Sequence, residues 1–475
     1  MAPIKYPHPN PSKSYWIEEG PNHLKKHRTT KELPTEVDLV IIGSGYSGTS
    51  VASHLLLSNK SEKGEPFNGS ILMLESRDVC AGATGRNGGH IRGNYQSGQA
   101  SFIGNFGEKI AADMVIFEHN ELHKVKKLVE DLKIDCNFNF RYSSQTFDDE
   151  KTYEAGLNDF YAYQNNKYIP QYLKDMIQIK FKDDNDPLLQ HKVGPFSITA
   201  PTSSVWPYKL VTTLLAKCIE KGLNLQTYTT VLNIQRGDND TWLVNTERGV
   251  VKCKKLVCAT NAYTRTLLPE FKGKIIPVKG VVSHIKQISK EGEVNEDINR
   301  LHYNYYHTFP LEGDYVTTHS NNSIIAGGGG KTYLPYPNSV DMFNNMDDSF
   351  APKETINYFK NYPNKFYPEF AKDTKFENDY TWTGCMAYSN DDVPYVGDLT
   401  NFGRKNVFIL AGYTGHGMPR IWSCGEYIAD LITGSKASDV PDCFKLTLER
   451  MYNHKHALFS DLAGYDINNR GKFKL

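Results

Sequence analysis

Residues 37–48 read VDLVIIGSGYSG, a near-continuous apolar run of strand length that ends in Gly43, Gly45 and Gly48. A strand buried on both faces needs such a run, and this G-x-G-x-x-G spacing closes it onto a helix. The first glycine permits the tight turn, the second lets backbone approach a pyrophosphate, and the third lets helix pack on strand. The expected helix spans Ser47–Leu57, a polar loop covers 58–69, and SILMLES (70–76) reads as a second buried strand. Glu75 ends that strand, where a carboxylate accepts hydrogen bonds from ribose hydroxyls and disfavours a 2′-phosphate. This βαβ unit predicts an α/β chain that binds a dinucleotide other than NADP.

The remaining sequence alternates two styles, which predicts interleaved domains. Residues 1–35 read as an extended, proline-bearing arm. Buried-strand style fills 36–100, 196–275 and 376–440, expected to form a discontinuous Rossmann-like nucleotide domain. Residues 101–195 and 276–375 are expected to build a substrate domain on a mixed or antiparallel β-sheet. A helix is predicted over 108–133, weak periodicity over 140–195, and a helical tail over 441–475. Lys+Arg and Asp+Glu balance at 54 each, so no net field favours nucleic acid or an anionic membrane. No apolar run is long enough to span a bilayer. The eight cysteines form no CxxC pair, which argues against a zinc site or disulfide framework and for a reducing, cytoplasmic setting. The terminal KFKL shares its last two residues with a peroxisomal address, leaving that compartment as the alternative.

A second glycine-rich segment, CAGATGRNGGH (80–90), follows the ribose clamp directly. A nicotinamide dinucleotide has no need of it, whereas the ribityl chain and ring of a flavin do. With GSGYSG, LES, GATGRNGGH, TYTTVLNI, LVCATNAYT, IIAGGGG, WTGCMAYSNDDVPYVG and NVFILAGYTGHGM in that order, the chain resembles the D-amino-acid-oxidase family of flavoproteins. Its likeness is to fungal and bacterial amine oxidases of the γ-glutamylputrescine-oxidase and monomeric-sarcosine-oxidase kind, over about residues 15–440. The resemblance implies a two-lobed FAD enzyme. It would oxidise the C–N bond of an amine or amino acid by hydride transfer to flavin N5, with imine hydrolysis and reduction of O2 to H2O2.

The resemblance also implies site residues. Gly43, Ser44, Gly45, Tyr46, Ser47 and Gly48 would bind the pyrophosphate, and Glu75, Ser76 and Arg77 the adenosine ribose and its surroundings. Ala83, Thr84, Arg86, Asn87, Gly88, Gly89 and His90 would line the ribityl chain and ring. Val231 would meet the adenine, with Thr260, Asn261 and Ala262 near the ring's far wall. Gly412, Tyr413, Thr414, Gly415, His416, Gly417 and Met418 would lead into a helix whose N-terminus faces the flavin N1–C2=O edge, where reduction places negative charge. Cys385 is open between two readings: a thioether to the flavin 8-methyl group, as in the sarcosine-oxidase branch, or a buried packing residue beside non-covalent FAD.

His90 and Arg92 are the catalytic candidates. His90 is expected to orient the amine or discharge its proton because an imidazole titrates near neutrality. Arg92 and Arg420 are candidate clamps for a substrate carboxylate. The lysine that activates oxygen in the sarcosine-oxidase type has no clear counterpart: Ile325 falls near its position and Lys331 lies beyond it. A dehydrogenase using another acceptor, or a flavin-bound regulatory protein, therefore stays open. Tyr303, Tyr305 and Tyr306 fit either an aromatic cage or a sheet face.

Overall fold

The computed structural model describes residues 5–58, 67–95, 97–147, 149–181, 196–288, 301, 303–309, 313–319, 323–333, 341–371 and 374–452. Its first sheet runs in the order Tyr395–Leu399, Arg404–Ala411, Gly249–Cys258, Glu36–Ile42, Ile71–Leu74, Leu223–Gln226. All neighbours after the first pair are parallel. Leu39, Val40 and Ile41 are fully buried because both faces of their strand are covered. Leu39 and Ile41 point to the helices Tyr46–Leu56, Pro207–Glu220 and Ile421–Thr433. Val40 and Ile42 point to the antiparallel pair Val231–Arg236 and Trp242–Thr246.

The second sheet has nine strands and is antiparallel except where Asn304–Thr308 runs parallel to Asn139–Phe147. The fold class is therefore the expected one: a parallel nucleotide-binding sheet with helices beside a mixed sheet. Three strands placed by composition in the nucleotide domain, His90–Arg92, Phe196–Ser204 and Lys375–Ser389, pair in the second sheet. An apolar run reports burial but not which partner strand supplies the hydrogen bonds. The two sheets thus share the segments that join them, and the long pair Ile275–Ile288/Lys375–Ser389 forms one edge of the second.

Glu150–Asn165 is a helix inside the stretch of weak periodicity. Its start is set by a capping box: Asp149 Oδ1 accepts from Thr152 N (2.8 Å), and Thr152 Oγ1 accepts from Asp149 N (3.2 Å). Only Thr152, Gly156 and Tyr163 of it are buried, so its apolar residues trace no clear buried stripe and the local sign of the helix is the cap. The tail contributes a short helix at Leu448–Tyr452, and KFKL lies outside the described residues. No described helix is long and apolar enough to cross a membrane.

The helix that follows the first glycine turn is held from behind by Gly425. A Cβ there would stand 2.6 Å from Ser50 Cβ and 3.0 Å from Val51 N. Helices Tyr46–Leu56 and Ile421–Thr433 therefore touch through backbone. Gly425→Val should wedge them apart and cost about 1–3 kcal/mol, the usual penalty of overpacking. A lowered thermal unfolding midpoint of the flavin-free protein would show it, and an unchanged midpoint would contradict the packing.

Candidate functional site

One continuous cavity of about 730 Å³ runs from the first glycine turn to the second sheet. Gly43, Gly45, Tyr46 and Ser47 line its start. Gly43 has φ +109°, and a Cβ on it would stand 2.7 Å from Ala259 O. Gly48 is not in the wall. It packs the helix onto the turn, where an added Cβ would lie 2.0 Å from Gly43 O. Gly45 caps the helix without a side-chain acceptor, and of the first N–H groups of this 11-residue helix only that of Tyr46 is taken, by Thr84 Oγ1, which leaves those after it for an anion.

Ser44 is also outside the wall. Its N–H (3.1 Å) and hydroxyl (2.8 Å) both donate to Glu75 Oε2, while Glu75 Oε1 accepts from Arg77 N at 3.0 Å. A carboxylate has about four acceptor positions, and the remaining one on Oε1 is free for a ribose hydroxyl. Ser76 lines the cavity beside it. Arg77 also borders the cavity, but its guanidinium is engaged: Nη1 donates to Asp348 Oδ1 and Oδ2 (3.0 and 2.9 Å) and Nη2 to Ala81 O (2.8 Å).

The second glycine turn is tied to the first by two hydrogen bonds, from Tyr46 N to Thr84 Oγ1 (3.0 Å) and from Cys80 N to Ser44 Oγ (2.9 Å). Ala83, Thr84, Arg86, Asn87, Gly88 and His90 face the cavity, and Gly89 does not. Asn87 staples the turn, donating to Thr84 O and accepting from Gly89 N. Arg86 acts as an anchor: Nε donates to Ala81 O and Nη1 to Thr383 O, both at 2.9 Å, with Asp348 3.6 Å away. Burial lowers its pKa to about 10. A Cβ on Gly88 would meet the Tyr315 ring at 2.2 Å, so the turn and the second sheet meet where no side chain fits.

Val231, Thr260, Asn261 and Ala262 line the cavity from the first sheet. Gly412 lies behind the wall with φ +82°, its N–H donating to Asn261 Oδ1 at 3.1 Å. Tyr413, Thr414, Gly415, His416, Gly417 and Met418 line it, but the helix begins three residues after Met418, at Ile421. Cys385 is buried in the wall, and burial followed by Asp348 pushes its thiol up to about 12.

Burial also holds His90 down at about 4, so it is neutral at neutral pH, contrary to the expectation that it titrates there. Its ring meets the edge of Tyr315 at 5.2 Å, and its Nε2 has no hydrogen-bond partner. Arg92 donates from Nη2 to Gln145 Oε1 (2.9 Å) and lies 5.1 Å from the Tyr306 ring centre. Its Nε is buried without a partner, and no described carboxylate pairs with it. Arg420, the other clamp candidate, is buried against Glu118 Oε1 at 2.6 Å and does not line the cavity. Tyr305 and Tyr306 line the cavity, whereas Tyr303 packs behind Tyr305.

Sequence reading missed Glu118, Tyr315 and Gln145, whereas Asp392 falls on an acidic position of the family segment that begins at Cys385. Glu118, on the helix Glu108–Asp131, also accepts from Asn94 N at 2.5 Å and lies 3.3 Å from His416 Nε2 without a well-aligned bond. Burial opposes its charge, but Arg420 and then His416 outweigh it, and the pKa falls to about 2. Asp392 lines the cavity, raised to about 6 chiefly by burial. Asp392 belongs to the WTGCMAYSNDDVPYVG segment and was legible there; Glu118 stands in an ordinary amphipathic helix and gave no signal.

This geometry, a glycine-cradled helix terminus joined through one cavity to a polar pocket beside a mixed sheet, is that of a flavoprotein oxidoreductase. Residues 38–431 match the model of the FAD dependent oxidoreductase (DAO) family, and the chain belongs to that family. FAD fits the site: the uncapped helix terminus, the free Glu75 position and the wide second turn each suit one part of it. The chain is 24% identical over 412 residues to the gamma-glutamylputrescine oxidoreductase of Escherichia coli, with 84% of each covered. It is 21% identical to the probable oxidoreductase OrdL of Haemophilus influenzae, covering 84% of this chain and 83% of that one. Among solved structures it matches glycine oxidase from Geobacillus kaustophilus with TM-score 0.67 and 17% identity, covering 87% of this chain and 99% of that one.

Glu118 has a depressed pKa, so its stabilisation is full above the ordinary carboxylate value and is lost as pH falls through about 2. A shift of this size is worth about 3 kcal/mol. Glu118→Gln should therefore lower the unfolding midpoint at pH 7, with the gap from wild type closing between about pH 4.5 and 2. A gap that stays constant with pH would refute the charge pairing.

Proposed function

We propose that this FAD-dependent oxidoreductase oxidises the C–N bond of a small amino acid to an imine that hydrolyses to a carbonyl product. The observation that carries the proposal is Arg92: a half-buried guanidinium in the cavity wall whose buried Nε has no hydrogen-bond partner and which forms no ion pair with a described carboxylate. An unpaired buried charge is costly, and a bidentate substrate carboxylate relieves it. Gln145 fixes the Arg92 plane through Nη2, and the Tyr306 ring supports it. The names of the relatives point to an amine conjugate and to glycine; Arg92 favours a substrate with a carboxylate.

The two glycine turns and Glu75 would hold FAD, which would supply the hydride acceptor. The chain's own residues orient and exclude water. Neutral His90 offers Nε2 to the substrate amine, which must itself be neutral to lose hydride. Tyr315 and Tyr306 wall the pocket. Burial lowers the His416 pKa, leaving it neutral beside Glu118. These roles of His90, Arg92 and the lining residues are part of the proposal.

Oxygen as acceptor, giving H2O2, is the first reading of the second half-reaction. A dehydrogenase is the second, favoured by one observation: no lysine lines the described cavity. Ile325 is buried, and Lys331 lies 3.6 Å from the Phe309 ring centre, outside the wall. The rate of flavin reoxidation in air separates the two. The free, buried cysteines support a reducing compartment, the cytoplasm before the peroxisome.

Arg92→Ala should raise KM for amino acids at least about tenfold, or about 1.4 kcal/mol. KM for amines lacking a carboxylate should stay the same, and equal losses for both classes would remove the clamp. We also propose that FAD is held non-covalently. A thiol held near 12 has only about one part in 10⁵ ionised at pH 7. Acid precipitation should leave the yellow colour in the supernatant; a yellow pellet that Cys385→Ala decolourises would establish the thioether instead.

A further inference from the structure

We infer that the amino-terminal segment Tyr6–Pro11 is a strap that completes the adenosine subsite and retains the dinucleotide. The inference rests on FAD occupying the cavity. Tyr6 and Pro7 line that cavity, on the side formed by Glu75, Thr229, Val231, Thr266 and Leu267. The Tyr6 hydroxyl donates to Leu232 O at 2.9 Å, one residue beyond Val231, where the adenine is expected. Thr266 Oγ1 donates to Lys5 O (2.7 Å), and Arg77 Nη1 to His8 O (3.2 Å). Both donors also line the cavity.

The sequence YPHPNP suits a strap. Alternating prolines fix φ, remove backbone donors and favour an extended, semi-rigid chain with no secondary structure of its own. The root of the arm is clamped. Ser12 N and Oγ both donate to Asp348 O (2.8 Å each), Ser14 Oγ to Gly85 O (2.7 Å), and Trp16 Nε1 to Asn87 O (2.6 Å). Ser14, Tyr15 and Trp16 are buried, whereas Tyr6, Pro7 and His8 are half-buried. The arm therefore holds the flavin turn with its root and closes the far end of the cavity with its tip. The tip is the part that can lift to admit or release a ligand without disturbing either sheet.

The experiment uses full-length protein carrying Cys385→Ala, so that no covalent bond can mask release. FAD dissociation is followed by recovery of flavin fluorescence after dilution, and affinity by quenching titration of the flavin-free chain. Tyr6→Ala should release FAD at least about tenfold faster and weaken its Kd, while the unfolding midpoint of the flavin-free protein stays the same. Tyr6→Phe, which keeps the ring and loses only the bond to Leu232 O, should fall between. A dissociation rate within twofold of the parent for Tyr6→Ala would overturn the strap. A Tyr6→Ala chain with a lowered flavin-free midpoint would overturn it too, by making the residue structural. A parent chain that binds no FAD would instead overturn the cofactor assignment on which the inference rests.

Discussion

Asp348 is one buried carboxylate placed between two buried guanidiniums. Both of its oxygens accept from Arg77 Nη1, which also reaches His8 O, and Arg86 Nε stands 3.6 Å away. Its backbone carbonyl holds Ser12. Through these contacts a residue outside every strand joins the ribose loop, the flavin turn, the strand Lys375–Ser389 and the amino-terminal arm. Removing one member of such a group leaves buried charge without compensation, at a cost of about 3–5 kcal/mol. Arg77 beside the ribose clamp and Arg86 in the flavin turn are thus anchored by a carboxylate far from both in sequence.

Glycine motifs were legible because their reason is local. Gly43 needs a positive φ, and Gly48 needs a missing side chain; both needs are written in three residues of spacing. The first sheet was legible for the same kind of reason, since VDLVII can only be buried on both faces. The residues that were not legible act across distance. Asp348 and Glu118 gain meaning from Arg77 and Arg420, which are far away in sequence. Tyr315 matters because Gly88 and Gly327 leave space on either side of its ring. A single chain read in order shows none of these pairings.

The same distinction explains the two arginines. Arg92 and Arg420 look alike in sequence, each a few residues past a glycine-rich turn. Arg420 Nε is committed to Glu118, whereas the Arg92 guanidinium hydrogen-bonds to the neutral Ser97 and Gln145 and feels the Glu118 charge only at a distance. Chemistry separates them by what is missing around Arg92, and absence leaves no motif. His90 follows the same logic: depth, not residue type, takes its imidazole out of the neutral pH range.

All eight cysteines are buried and free, and burial is the largest influence raising the pKa of each thiol. Thiols oxidise as thiolates, and only where a small oxidant can reach them. An enzyme that hands electrons to oxygen releases peroxide at its own surface with every turnover. This chain keeps every one of its thiols buried and protonated, so an oxidant of that kind finds no thiolate to attack.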